Sequence, residues 1–264
     1  MGNKIALVTG GSSGIGRCSA TALKNKGCKV YEFSRRDIPN EGIIHISADV
    51  TDENAVKSAV EQIISADGKI DILINCAGFG ISGAVEFTEE AEARKQFDVN
   101  FFGTVNVTRS VLPFMREKKS GRIVNISSVA AVAHIPFQTY YSASKAAIES
   151  YTCCLANEVR PFGITVTAVQ PGDIATEFTA AREKSFAGDD IYGGRIGRSV
   201  AGMEKDEEKG MSPEKAGEYI AKIALKKKVK PAYAIGVTYK FLAVLCKGFP
   251  SSVRNYIVGI LYAK

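Results

Sequence analysis

Residues 4–16 read KIALVTGGSSGIG, and this stretch decides the fold. Its first half is a short apolar run of the kind that forms a buried strand. A glycine-rich turn starts at Gly10, and the following Arg17 to Lys26 has a helical composition that ends at Gly27, as a helix cap would. A second apolar run extends from Cys28 to Phe33. This succession of strand, glycine-rich turn, helix and strand predicts a dinucleotide-binding unit, because glycines let the backbone approach a pyrophosphate at a helix N-terminus.

Apolar runs and helical patterns alternate along the rest of the chain. The pattern predicts strands near 4–9, 28–34, 43–47, 71–75, 121–127, 163–170 and 231–236. It predicts helices near 14–26, 52–66, 89–116, 139–160 and 212–225. Such alternation indicates an α/β fold, a doubly wound parallel sheet with helices on both faces. We expect one domain over residues 1–264, with a ligand crevice at the carboxyl ends of the strands.

Tyr141 and Lys145 are four residues apart in the segment YSASK. In a helix, side chains at this spacing project from one face, so that a phenol lies beside an ammonium. Free tyrosine has a pKa of about 10, and a neighbouring positive charge lowers that pKa. The pair is therefore a candidate general acid and base. The competing interpretation is a solvated helix face, and Tyr140 lacks a lysine at the matching offset.

Six ordered motifs resemble those of the short-chain dehydrogenase/reductase family. They are TGGSSGIG at 9–16, NCAG at 75–78, Asn100 in DVN, ISS at 126–128, YSASK at 141–145 and PGDIAT at 171–176. Cys76 departs from the family pattern, since it replaces the second asparagine of the Asn-Asn-Ala-Gly motif. The resemblance implies a Rossmann fold and an oxidoreductase that interconverts a ketone and a secondary alcohol.

The resemblance also implies four catalytic residues. Tyr141 would donate a proton to the carbonyl oxygen that accepts hydride, and Ser128 would hydrogen-bond the same oxygen. Lys145 would lower the pKa of Tyr141 and bind the nicotinamide ribose, and Asn100 would hold a relay water. The family spacing of thirteen residues before the tyrosine selects Ser128 over Ser127. The competing interpretations are a strand-end hydroxyl for Ser128, a helix kink at Asn100 and Tyr140 as the acid.

The end of the second predicted strand indicates which nicotinamide cofactor the site prefers. Family members that use NAD commonly place an aspartate there, whereas this chain has Ser34 followed by Arg35 and Arg36. Arginine suits phosphate geometry, so the pair favours NADP(H), unless both arginines are only surface charge. The residues expected to contact the cofactor are Gly10, Ser12, Ser13, Gly14, Ile15, Gly16, Ser34, Arg35, Asp49, Val50, Asn75, Ala77, Gly78, Tyr141, Lys145, Pro171, Gly172, Ile174 and Thr176.

The composition of the chain bears on nucleic-acid binding, on metal binding and on the cellular compartment. The net charge is +6, but no nucleic-acid motif accompanies it, and the main basic cluster is the run at 226–230. The six cysteines have no zinc-ligand spacing, so no metal site is expected. With no secretory signal at the N-terminus, we expect reduced thiols in the cytoplasm.

Two segments should decide the substrate. Residues 177–211 are rich in glycine and predict a mobile substrate lid. Residues 237–264 form an apolar extension, predicted as two short helices separated at Gly248-Phe249-Pro250. The apolar stretches Phe79–Gly83 and Ala133–Phe137 should flank the same crevice. The apolar extension is a candidate for one of three roles: covering a hydrophobic substrate, forming a subunit interface, or facing a membrane.

The stretch NISSVAA at 125–131 and the long apolar tail are similar to those of hydroxysteroid dehydrogenases and related lipid or retinoid reductases. This resemblance implies an NADP(H)-dependent hydroxysteroid dehydrogenase acting on a bulky hydrophobic ketone or alcohol, bile acids included. Reductases of another lipid, a retinoid, a small ketone or an acyl thioester share the same motifs and remain open. A non-enzymatic NADP-binding sensor and a membrane-surface protein are the alternatives outside enzymes, although the sequence does not favour a membrane partner. The resemblance further implies a homodimer or homotetramer through the helices at 89–116 and 139–160.

Overall fold

A computed structural model of the chain describes residues 4–236, residue 239 and residues 248–262. The main strands are β1 Ile5–Thr9, β2 Lys29–Ser34, β3 Ile43–Ser47, β4 Ile72–Asn75, β6 Gly121–Ile126, β7 Ile164–Pro171 and β9 Ala232–Ile235. They form one parallel sheet of seven strands in the order β3-β2-β1-β4-β6-β7-β9. The short strands β5 Ile81–Ser82 and β8 Glu183–Lys184 pair separately. The strand order reverses beside β1, which is where such sheets open a ligand crevice.

Helices cover both faces of this sheet. They are α1 Gly14–Asn25, α2 Glu53–Asp67, α3 Glu90–Phe97, α4 Gly103–Glu117, α5 Ala130–Ala133, α6 Thr139–Val159, α7 Phe178–Ala181, α8 Arg195–Glu208, α9 Pro213–Ala224 and α10 Ser251–Tyr262. In β1, Ile5 and Leu7 pack into the core beneath α2, α4 and α6. Ala6 and Val8 alternate with them and pack against α1 and α9. Because both faces of the strand are buried, its sequence is continuously apolar, as the run KIALVT predicted. The doubly wound parallel sheet is confirmed.

The prediction of one continuous helix at 89–116 is wrong. The structure has α3 and α4 instead, joined by a π-helical turn at Asp98–Phe102 that contains Asn100. The extra residue in this turn directs the buried Asn100 side chain toward the loop after β4, where it pairs with the backbone of Phe79. The hydrophobic pattern alone could not show this turn, because it continues through the segment without interruption.

The segment 177–211, predicted as a glycine-rich lid, contains α7, β8 and α8. Ile196, Val200 and Met203 of α8 are buried in a small apolar cluster with Ala84 and Phe137. The segment therefore packs on the body of the protein. Its mobility stays a prediction.

The second helix predicted in the C-terminal extension is α10, which begins directly after Pro250. The first predicted helix falls mostly on residues 237–238 and 240–247, which lie outside the described residues. In the part of the chain that the structure describes, no helix has the length and apolar character needed to cross a bilayer.

Candidate active site

The glycine-rich turn between β1 and α1 brings the backbone close to the loop after β4. Gly10 has φ +68°, and a Cβ on it would come within 2.9 Å of Ala77 Cα. A Cβ on Gly16 would lie 2.2 Å from the Gly10 carbonyl oxygen. Thr9 Oγ1 accepts hydrogen bonds from the backbone N–H groups of Cys76 and Ala77, at 3.0 Å each. The close approaches at Gly10 and Gly16 require glycine. The turn directs the N-terminus of α1 toward the crevice.

A cavity of about 590 Å³ opens at the carboxyl ends of the strands. This volume lies within the range of small-molecule and cofactor sites. Most of the residues predicted from the sequence line it: Gly10, Ser12, Ser13, Gly14, Ile15, Gly16, Ser34, Arg35, Asp49, Val50, Ala77, Gly78, Ser128, Tyr141, Lys145, Pro171, Gly172, Ile174 and Thr176. Asn75 and Asn100 do not line it.

Asn75 lies behind the cavity wall, at the end of β4. Its Nδ2 donates to Thr108 Oγ1 at 3.0 Å and to Asn125 Oδ1 at 2.9 Å, and the side chain is buried. These bonds tie β4 to β6 and to α4. The geometry gives Asn75 a structural position, although the sequence pattern had placed it among the cofactor contacts.

Ser128 and Tyr141 meet on the cavity wall, and their side chains hydrogen-bond to each other. The neighbouring Ser127 is buried and donates to the Lys145 carbonyl oxygen at 3.0 Å, so its hydroxyl is engaged elsewhere. Tyr140 does not line the cavity. The geometry thus brings together the serine and the tyrosine that the motif spacing selected.

The pKa of Tyr141 differs from the sequence-based expectation. Burial raises this pKa to about 12, although the hydrogen bond from Ser128 acts in the lowering direction. The expectation that Lys145 lowers the pKa of Tyr141 is therefore wrong. Lys145 Nζ lies 5.8 Å from the centre of the Tyr141 ring, and burial lowers the pKa of Lys145 itself to about 8. The low dielectric around both groups disfavours their charged forms more than their proximity favours them.

Lys145 is held in the wall from α6. Its Nζ donates to the Ile126 carbonyl oxygen at 2.9 Å, which leaves two further N–H donors on the ammonium group. Since Lys145 lines the cavity, these donors are available to hydroxyl groups of a bound molecule.

Asn100 supports the wall from behind. Its Oδ1 accepts from the Phe79 N–H, and its Nδ2 donates to the Phe79 carbonyl oxygen, both at 3.0 Å. A Cβ on Gly78 would lie 3.0 Å from Asn100 Oδ1 and 3.6 Å from Lys145 Nζ. Asn100 therefore positions the loop that runs past Lys145. Its role in holding a relay water stays a prediction.

The end of the cavity away from Tyr141 and Lys145 is basic. Arg35 Nη1 lies 3.9 Å from Asp49 Oδ2 and the Arg35 side chain is 75% exposed, so the pairing leaves most of the guanidinium open to a ligand. Arg36 Nη2 donates to Ser13 Oγ of the glycine-rich turn at 3.4 Å. Arg36 also lines the cavity, and its position next to Arg35 in the sequence was the signal that could have added it to the predicted contacts.

The end nearest Tyr141 contains side chains that the sequence did not single out. Arg182 is buried and forms an ion pair with Glu207, which also accepts from Thr179 Oγ1 at 2.5 Å. Tyr239 donates to Asp173 Oδ2. Burial raises the pKa of Asp173, opposed by the Tyr239 hydrogen bond. The lid supplies Thr179, Arg182 and Glu207 and the extension supplies Tyr239, and neither segment has a motif whose spacing marks them. Asp173 lies within the PGDIAT motif, but its side chain was not among the predicted contacts.

Apolar side chains complete this end. Phe79, Ala133, Ile135, Phe178 and Met203 line it, and the Tyr141 and Phe178 rings are 5.8 Å apart. The two stretches predicted to flank the crevice thus each contribute to its wall. Across the described residues, no group of three His, Cys, Asp or Glu side chains is arranged to hold a metal ion.

The residues present fit a nicotinamide dinucleotide. Gly10, Ser12, Ser13 and Gly14 line the cavity at the start of α1, and a helix N-terminus is where a pyrophosphate binds. Arg35 and Arg36 stand at one end and the Ser128, Tyr141 and Lys145 group at the other, so a long ligand can extend between them.

Comparison with known proteins agrees with this arrangement. The model of the short chain dehydrogenase family matches residues 4–186. The chain is 42% identical over 264 residues to a 3-ketodihydrosphingosine reductase of Bacteroides thetaiotaomicron, covering 98% of both chains. The structure of a short-chain dehydrogenase from Streptomyces avermitilis superposes with a TM-score of 0.85 at 33% identity, covering 97% of this chain and 95% of that one. A structure of ElxO with NADP bound has a TM-score of 0.76 at 26% identity, covering 90% of this chain and 99% of that one.

The protein therefore belongs to the short-chain dehydrogenase/reductase family of oxidoreductases, as the six sequence motifs had indicated. The family binds a nicotinamide cofactor, and the cavity described above is the candidate site for it in this chain.

Proposed function

We propose that this protein is an NADP(H)-dependent reductase of a long-chain amino ketone of the sphingoid class. The observation that carries the proposal is the acidic character of the cavity beside Tyr141. Asp173, Asp206 and Glu177 line this end and form no ion pair within the described part of the chain. These carboxylates would attract an ammonium group next to the reacting carbonyl. The similarity to a reductase of 3-ketodihydrosphingosine supports the same substrate class.

The acidic end disfavours the steroid substrate that the apolar sequence stretches suggested. A neutral keto-steroid offers no cation to Asp173 or Asp206, and the carboxylate of a bile acid would be repelled by them. The apolar wall formed by Phe79, Ile135 and Phe178 suits an alkyl chain as well as a ring system. The hydroxysteroid substrate stays a prediction, and its ketones serve as competitors in the test.

The chemistry follows from the positions of three side chains. The bound cofactor supplies the hydride to the substrate carbonyl carbon. Tyr141 donates its phenolic proton to the carbonyl oxygen, and Ser128 hydrogen-bonds that oxygen as negative charge develops on it. A pKa of about 12 keeps the Tyr141 phenol protonated at neutral pH, which is the state that ketone reduction requires. Lys145, which lines the cavity, would hold the ribose side of the cofactor.

The preference for NADP(H) rests on Arg35 and Arg36. Both line the far end of the cavity, where a 2′-phosphate would extend from the adenosine ribose. Ser34 occupies the strand end and donates to the Arg36 carbonyl oxygen at 2.9 Å, so no carboxylate takes the place of the phosphate there. The NADP-bound ElxO structure supports this choice in a relative of the same fold.

Self-association through the helices predicted at 89–116 and 139–160 is part of this proposal. Phe102, in the π-helical turn, is 50% exposed and contacts the ring of Phe101, which contacts Tyr151 of α6. An exposed aromatic surface of this kind suits contact with a second copy. Light scattering on the purified protein distinguishes a dimer or tetramer from a monomer.

The test of function is NADPH oxidation, followed by absorbance, with 3-ketodihydrosphingosine, its N-acetyl derivative and keto-steroids, and with NADH in parallel. We expect the free amine to be reduced faster than the N-acetyl compound, because acetylation removes the cation. Asp206→Asn should narrow that difference, whereas Asp190→Asn, an exposed aspartate that does not line the cavity, should leave it unchanged. Faster turnover of a keto-steroid than of the amino ketone would overturn the proposed substrate.

A further inference from the structure

Helix α10 exposes a continuous apolar stripe. The exposed fractions are 44% for Phe249, just before the helix, 41% for Val253, 71% for Tyr256, 41% for Ile257, 45% for Ile260 and 58% for Leu261. Successive members are one, three or four residues apart, so they lie on one side of the helix. We call this set the α10 stripe. Side chains this large are rarely grouped on the solvent-facing side of a helix without a partner.

The other side of α10 is anchored to the protein. Val258 is 3% exposed and packs with Val129 and Ala133 of the α5 region. Tyr262 packs in the same cluster and lines the cavity wall. The stripe therefore points outward from a helix that is fixed beside the mouth of the active-site cavity.

The segment that contains the stripe is also strongly basic. Residues 237–264 include four basic side chains, Lys240, Lys247, Arg254 and Lys264, and no aspartate or glutamate. The lysine run at 226–230 is a separate feature, because it precedes β9 and lies at the opposite edge of the sheet from the cavity. The basic character of the C-terminal segment thus accompanies the apolar stripe itself.

We propose that the α10 stripe docks on an anionic lipid surface. A helix of twelve residues is about 18 Å long. Such a helix lies in the plane of the interface, with its apolar side at the boundary between headgroups and acyl chains. Basic side chains in the same segment then attract anionic headgroups. Docking in this way brings the cavity mouth, through Tyr262, close to the lipid surface.

A second copy of the chain is the main competing occupant, and the charges disfavour it. Each such segment carries four basic side chains and no acidic one, so two copies of it repel each other. The exposed aromatic surface around Phe102 is a separate site for self-association. The lipid proposal does not depend on which ketone the enzyme reduces, because docking is measured without turnover.

The experiment is co-sedimentation of the full chain with phosphatidylcholine vesicles, with or without phosphatidylglycerol. We expect binding to the vesicles with phosphatidylglycerol and a decrease as salt is raised. Ile257→Asp should weaken that binding about tenfold or more, because it removes one apolar side chain that the lipid would bury. The matched control is Asn255→Asp, which adds the same charge to an exposed position on another side of the helix. It should retain most of the binding.

Light scattering and circular dichroism on the same variants complete the test. Folded Ile257→Asp with lost vesicle binding and an unchanged oligomeric state supports the proposal. The proposal is overturned if wild type does not sediment with either vesicle, or if both aspartate variants lose binding equally. A smaller oligomer in Ile257→Asp, with no vesicle binding by wild type, would instead assign the stripe to contact between copies.

Discussion

Tyr141 is the residue on which the proposed chemistry depends, because its phenol is the proposed acid beside Ser128. Tyr141→Phe removes the proton donor but keeps the ring that contacts Phe178. We expect turnover to fall by about 10²–10⁴-fold, the usual contribution of a general acid. Cofactor affinity should change little, because the ring still fills the wall. Stopped-flow turnover and cofactor fluorescence titration measure the two effects, and a variant that keeps wild-type turnover would show that another group is the acid.

Lys145 makes the stability of the ligand-free protein depend on pH. Burial lowers its folded-state pKa to about 8, whereas an unfolded lysine has a pKa of about 10.4. Between these values the unfolded chain binds more protons than the folded one, so the free energy of unfolding rises with pH, by at most about 1.4 kcal/mol per pH unit from this group. Tyr141 opposes this rise as the pH approaches about 10, because the unfolded phenol loses its proton there while burial keeps the folded phenol protonated to a pKa of about 12.

The prediction is checked by urea unfolding of the ligand-free protein at several values between pH 8 and pH 10. Lys145→Met should lose the rise in unfolding free energy that wild type shows. Lys209→Met, at an exposed position, should keep it. Parallel pH profiles for wild type and Lys145→Met would mean that the buried ammonium does not titrate in this range.

At the scale of elements, a chain of buried side chains ties the sheet to its helices. Asn125 of β6 accepts from Asn75 at 2.9 Å and donates to Thr152 Oγ1 of α6 at 2.9 Å. Asn125→Ala leaves polar atoms without these partners in a buried place, and we expect a loss of about 1–3 kcal/mol in unfolding free energy. The exposed Asn157→Ala should cost less than about 0.5 kcal/mol. Urea unfolding compares the two, and equal losses would contradict a role for the network.

The sequence predicted the elements that have a strong period and missed those that depend on tertiary contacts. The strand and the glycine-rich turn at 4–16 could be predicted, because a strand buried on both faces must be apolar and the turn needs glycine. The π-helical turn at Asn100 was not, since its cause is the hydrogen bonding of one side chain to the Phe79 backbone. Arg182 and Glu207 were missed for a related reason: they meet only when the residue after α7 and the C-terminal end of α8 pack together within the lid segment.

The same limit applies to pKa values. The spacing of Tyr141 and Lys145 correctly placed both side chains on one face of α6, but it could not supply the dielectric around them. The structure shows that burial dominates, which reverses the expected direction for the phenol. The steroid-like substrate was likewise inferred from apolar stretches, and the acidic side chains opposite them came from segments distant in the sequence.

At the scale of the whole molecule, a bound cofactor should stabilise the fold, because the cavity joins residues from the turn after β1 through to α10. A ligand that binds only the folded state stabilises it by about 2.7 kcal/mol at a concentration about 100-fold above Kd. For a domain of this size Tm rises by about 2–4 °C per kcal/mol. NADPH should therefore raise Tm by several degrees, and NADH by less at equal concentration, if Arg35 and Arg36 bind the 2′-phosphate as proposed.

Differential scanning fluorimetry on two variants tests this difference between the cofactors. Arg35→Asp should reduce the NADPH-induced rise in Tm to the size of the NADH-induced rise, since a carboxylate repels the 2′-phosphate and accepts ribose hydroxyls instead. Arg116→Asp, an exposed arginine in α4 that does not line the cavity, makes the same charge change and should leave both rises unchanged. Equal rises with NADPH and NADH in wild type would mean that the arginine pair does not select the phosphate. No rise with either cofactor would mean that the cavity does not hold a dinucleotide.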